Sequence, residues 1–205
     1  ADGVAWWYEG DSLIPMPEDV RRKIYEETGV DFSGTICAGA KLSDIDENAV
    51  EVFRAKWIEK SGNTRLKGVE PEQLLRDCEA IIDEGITYAA LILFGKRAAI
   101  RKFLPQAEIV FEYRSSDASG PASQREEFQS GFFSCYNRIW ELINLRNDKQ
   151  HYQDGFFIYD ISTFNERVVR EAILNAVSHR MYQMSGSIFI RQYRDRLEVE
   201  SPGGF

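Results

Sequence analysis

Residues 170–182 read R-E-A-I-L-N-A-V-S-H-R-M-Y, and five of them carry side chains able to do chemistry: Glu171, Asn175, Ser178, His179 and Tyr182. A carboxylate four residues before a carboxamide stands one helical turn from it, so both groups can act on one small target. A carboxylate can take the proton of an attacking water. A carboxamide oxygen is a hard donor suited to Mg²⁺, an ion that keeps several waters and shares phosphate oxygens. The same spacing also describes an ordinary solvated helix face, and His179 alone also suits a helix cap or the edge of a core.

A helix over residues 164–182 is predicted to position these groups. Thr163-x-x-Glu166 has the form of a capping box at its start. At about 100° per residue, Val169, Ile173, Leu174, Val177 and Met181 share one broad apolar face. Glu171, Asn175, Ser178 and Tyr182 fall together on the opposite side.

Around this helix the pattern alternates between helical and strand-like segments. Strand-like runs are residues 4–9, 107–114 and 155–161, with a hairpin from 187–193 and 196–200. Helical runs are 17–28, 42–60 (with Ser43-x-x-Asp46 at its start), a segment from Pro71 that Gly85 ends, and a long helix over 126–146. Residues 87–94 are mostly apolar, and their length suits helix or strand equally. The expected fold class is α+β, with a helix-rich N-terminal part followed by mixed helix and sheet layers.

Composition narrows the function classes. Of 205 residues, 43% are hydrophobic and 13% aromatic, enough for a packed core. The formal charge of −8 disfavours a main nucleic-acid surface, leaving a local basic patch at Lys96, Arg97, Arg101 and Lys102. Trp6, Trp7 and Tyr8 suit a sheet edge better than a base-stacking platform in so acidic a chain. Arg191, Arg194 and Arg196 on the hairpin could meet phosphate or simply be solvated. Cys37, Cys78 and Cys135 are too scattered for a disulfide framework, and reduced core thiols of a cytosolic protein are expected. The two histidines, His151 and His179, lack metal-ligand spacing, which disfavours a zinc site. No apolar run is long enough to cross a membrane. The chain opens on V-A-W-W-Y-E-G and stops on G-G-F, which reads as a piece of a longer protein.

Four segments carry a family resemblance. E-A-I-L-N-A-V-S-H-R-M-Y resembles the E-A-l-x-N-A-x-x-H-R-D-Y box of the RecG-like, Schlafen AlbA_2-associated bacterial proteins. T-Y-A-A-L-I-L-F-G-K, F-L-P-Q-A-E-I and L-E-V-E-S-P-G-G-F resemble that family's other segments, in the same order. Members are described as transcriptional regulators or RecG-related helicases. The resemblance implies that residues 1–69 connect to a preceding AlbA_2-type module. Residues 70–205 would form the RecG-like region, and about 156–205 the first half of a GHKL-type ATPase sandwich. It further implies ATP and Mg²⁺ as ligands, Glu171 as general base, Asn175 as Mg²⁺ ligand, and His179, Ser201, Gly203 and Gly204 beside the nucleotide. DNA contact would come through the preceding module. A homodimer and a cytoplasmic location complete the expectation.

Two departures stand out. Met181 replaces the family's Asp, and Ser201 replaces the Asn before P-G-G, with no D-x-G-x-G nearby. They favour the alternative of a non-catalytic scaffold or dimerisation region. A helicase motor needs G-x-x-x-x-G-K-[ST]; Gly95-Lys96 is followed by Arg97 and lacks the upstream glycine. L-F-G-K therefore reads as the end of a buried element followed by a turn. At most a weak ATPase of the full-length protein is expected.

Overall fold

The structure is a computed structural model that describes residues 6–9, 12–15, 17, 31–83, 85–115 and 120–203. The fold is α+β, and among the described residues it has six α-helices and four small sheets. Strands β1 (Trp6–Glu9) and β2 (Ser12–Pro15) form a hairpin. The side chains of Trp6, Trp7 and Tyr8, and the helix expected over 17–28 apart from Pro17, lie outside the described residues.

Helix α1 (Glu47–Ser61) starts at Asp46, whose carboxylate accepts from the Asn48 N–H, and ends at Gly62 in the left-handed conformation. The predicted start at Ser43 is instead a short 3-10 turn, Leu42–Asp44. Helix α2 (Pro71–Asp77) opens on proline, as expected. It stops well before Gly85, which instead opens β4 (Gly85–Ile86) and pairs there with Ile82 of β3 (Ile81–Ile82). The ambiguous apolar run is helix α3 (Tyr88–Phe94), capped by the Thr87 hydroxyl. Gly95 follows as a turn into α4 (Arg97–Phe103), so L-F-G-K does end a buried element.

The main sheet contains β5 (Ile109–Tyr113), β6 (Gln124–Phe128), β9 (Ile188–Gln192) and β10 (Leu197–Glu200), in the order β10-β9-β5-β6. Its β5–β9 pair is parallel and the others are antiparallel. Between them in sequence lie α5 (Phe132–Asn144), the hairpin β7 (Lys149–Asp154) and β8 (Phe157–Ser162), and α6 (Glu166–Ser178). Ile109, Phe111, Ile188 and Ile190 point to the helical side and join the core. Helix α6 packs on β9 and β10 there, and α5 packs on α1, α3 and α6.

The long helix expected over 126–146 is a correction. Its first part is β6, because Phe128 pairs with Ile109 and Glu126 with Phe111 across the sheet. Cross-strand pairing outweighs the helix preference of Gln, Arg and Glu. The helix can begin only after Gly131, whose N–H donates to the Gly95 carbonyl at 2.7 Å. A Cβ on Gly131 would lie 2.5 Å from the Gly95 nitrogen, so this close crossing of two chain segments requires glycine.

Candidate functional site

Helix α6 starts at Asn165, not at Thr163. The Asn165 side chain accepts from the Arg167 and Val168 N–H groups, while Thr163 donates both N–H and hydroxyl to the Asp148 carbonyl. The capping box fails because Thr163 still belongs to the closing rung of the β7–β8 hairpin. Val169, Ile173 and Val177 are buried as predicted, and Leu174 is half-buried. Arg170 fixes the rotation of the helix. Its guanidinium lies 4.1 Å from the Tyr136 ring centroid, donates to the Tyr136 carbonyl and pairs with Glu166.

That rotation leaves Glu171 and Asn175 on the exposed side, one turn apart. Neither side chain hydrogen-bonds to another described residue. His179 is the C-cap and donates its N–H to the Asn175 carbonyl. Ser178 is exposed.

Two assignments at the end of the helix are corrected. Tyr182 is not on the open face. It is buried, its hydroxyl donates to the Val177 carbonyl at 2.9 Å, and burial pushes its phenol well above the usual range. Met181, expected in the core, is 46% exposed. Both reversals have one cause: the helix stops at Ser178, so the periodicity that assigned the faces no longer applies.

Arg180 explains the chain's path here. It is buried and donates to the carbonyls of Met181, Gln106, Met184 and Gly186 at 3.3, 3.0, 3.1 and 2.6 Å. Desolvation lowers its affinity for a proton. Gln106 returns a bond to the Tyr182 carbonyl. The H-R-M-Y part of the motif is therefore largely a device that closes the turn after the helix. Sequence reasoning missed Arg180, although an arginine between two chemically suggestive residues is hard to separate from a ligand contact.

The S-P-G-G turn meets the same helix end. The Ser201 hydroxyl donates to the Ala176 carbonyl at 3.0 Å, and the Met181 N–H donates to the Pro202 carbonyl at 3.0 Å. Gly203 sits at φ +123°, and a Cβ there would lie 2.8 Å from Met181 Cγ. Residues more than 20 apart in sequence are thus joined close to Asn175. Gly204 lies outside the described residues.

Two cavities of about 10 Å³ each lie on the buried side of α6 and the turn after it. One borders Glu108, Ser130, Arg180 and Tyr182, and the other lies between Tyr136, Trp140, Val169 and Arg170. Each has room for about one water. Among the described residues no group of three or more His, Cys, Asp or Glu is placed to share a metal ion.

Two of the three hairpin arginines are engaged internally, and Arg194 is exposed. Arg191 bonds Glu200 and faces Glu112 at 3.6 Å, and Arg196 bonds Glu198. Glu112 is buried on the sheet face opposite the one α6 packs on, and also binds Arg114 and Arg125. A charged residue inside the apolar run I-V-F-E-Y was the available sequence signal for this network. Lys96, Arg97, Arg101 and Lys102 are exposed on and beside α4, although Lys96 donates to the Ser43 carbonyl and Arg101 to Gln129. The cysteines are unpaired; Cys37 and Cys135 are buried. Among the described residues no helix is long and apolar enough to cross a membrane.

Residues 22–110 match the model of a family described as a domain of unknown function, DUF8451. No curated protein matches. The crystal structure of the DIP2311 protein from Corynebacterium diphtheriae is similar in fold, with a TM-score of 0.64 at 23% identity. The match covers 98% of this chain and 39% of that one, so this chain spans about two fifths of that protein's length.

Proposed function

We propose that this chain is the nucleotide-binding part of a multidomain, DNA-associated transcriptional regulator, with ATP acting as a conformational switch. The observation that supports it is the open face of α6. Glu171 and Asn175 stand there one turn apart with no other described side chain engaging them, and the Ser201-Pro202-Gly203 turn is latched to the end of the same helix.

The donor chemistry fits Mg²⁺ carried in with a nucleotide. A single carboxamide oxygen is too little for a protein-only cage, but Mg²⁺ commonly takes one or two protein oxygens and completes its shell with phosphates and water. Asn175 would hold the ion, which would neutralise phosphate charge. Glu171 would accept a proton from the attacking water at its carboxylate, and hydrolysis would be slow and confined to the full-length protein. The net charge of −8 directs DNA contact to another module, and the reading places the protein in the cytoplasm.

One observation favours the second reading, a scaffold or homodimerisation region with a degenerate site. Met181 packs on Gly203, on the face a Cβ would occupy, so the turn assigned to adenine is filled from within.

Calorimetry of Mg·ATP with the full-length protein separates the two. The switch reading expects binding that weakens at least tenfold in Asn175→Ala and persists in Glu171→Gln with hydrolysis lost. No heat from the wild-type protein, with folding intact, would leave the scaffold reading standing.

A further inference from the structure

The β7–β8 hairpin is the part of the molecule least accounted for by its own chain. Its strands pair from Lys149–Ser162 to Asp154–Phe157, and a two-residue turn at Gly155-Phe156, with Gly155 at φ +61°, joins them. Glycine at the first turn position suits a tight hairpin. The strands contact each other extensively and have no extensive contact with another described element. A lone two-stranded hairpin is marginal in water.

Its two faces differ. His151 and Asp160 lie on one, with Nδ1 and Oδ1 2.6 Å apart. Tyr152, Phe157 and Ile161 fall on the other by alternation, and are 58%, 69% and 55% exposed. Phe156, at the turn, is fully exposed. With aromatic side chains of about 200 Å² each, this surface presents on the order of 500 Å² of apolar area. That matches the largest apolar patch a monomer ordinarily shows, and such patches are often functional.

We infer that this apolar hairpin face is a homodimer interface, closed by the same face of a second copy. Two such faces bury about 1,000 Å² together, the lower bound for a specific association. A two-fold axis makes the surface its own complement. The ion-pairing groups His151 and Asp160 stay on the outer side. An anionic lipid surface is a poorer occupant for a chain of charge −8. The inference stands apart from the nucleotide reading, since neither Glu171 nor Asn175 takes part.

The test is sedentation-based mass measurement of the full chain by analytical ultracentrifugation from about 1 to 100 µM, a range suited to an interface of this size. A dimer is expected in the wild type. Tyr152→Ser with Ile161→Ser should weaken it at least tenfold, and Phe156→Ser alone should weaken it less, with unchanged circular dichroism in each case. Lys149→Ser, on the outer face, should have no effect. A wild-type monomer throughout would overturn the inference, whether or not the hairpin binds phosphatidylglycerol vesicles. So would a dimer indifferent to the apolar substitutions.

Discussion

At the residue scale, Gly203 shows how one missing side chain holds a site together. Its φ of +123° is open to glycine and strained for other residues, and its α-carbon rests against Met181. Gly203→Ala should therefore cost about 1–3 kcal/mol from backbone strain and from the 2.8 Å approach to Met181 Cγ. Adding Met181→Ala should recover only the contact part, since the strain remains. Urea melts of the two single variants and the double variant measure that division. Full additivity would mean that the contact does not matter.

At the scale of elements, the sheet carries a network that alternation alone does not explain. Glu112 on β5 lies between Arg125 on β6 and Arg191 on β9, and Arg114 closes it from the strand end. Three guanidiniums gathered on one buried carboxylate tie three strands across the face opposite the one α6 packs on. Glu112→Gln removes the charge that gathers them and should destabilise by about 3 kcal/mol. With a chain this long, that lowers the melting temperature by roughly 6–12 °C in calorimetry. An unchanged melting temperature would show that the arginines are satisfied by Glu127, Glu200 and solvent. Gly131 works at the same scale. It lets the start of α5 press against the end of α3, while pairing with β5 makes Q-R-E-E-F a strand.

At the scale of the molecule, the buried cluster runs from Cys37 through Phe94 and Phe111 to Ile190, uniting α1, α3, α5, α6 and the main sheet. This body should unfold in one cooperative transition. Its stability should hold up to about pH 9 and fall above it, because burial raises the Cys135 thiol from its ordinary 9.0 to about 12. Below pH 9 both states keep that proton; between 9 and 12 only the unfolded state releases it. The loss approaches about 4 kcal/mol at the top of that window. Buried Tyr182 and half-buried Cys78 are raised too, and act in the same direction. Denaturant melts at pH 7 and 10.5 measure the fall, and Cys135→Ala should flatten it.

The sequence by itself determined the α+β class, the apolar stripe of Val169, Ile173 and Val177, the terminal hairpin, and the solvent exposure of Glu171 and Asn175. These follow from local periodicity, which a regular helix or strand obeys wherever it sits. Only the tertiary structure decided where α6 begins and ends, and so that Tyr182 is buried and Met181 is not. Only it made residues 124–128 a strand, drew Arg180 into four carbonyls, and brought Ser201 and Gly203 against the helix that ends near Asn175. Each of those outcomes depends on partners distant in the chain: β5 for β6, Asp148 for Thr163, Gln106 for Arg180, Ala176 for Ser201. Hydrogen-bond satisfaction in a packed interior is a property of the assembled fold, and no local window of sequence contains it.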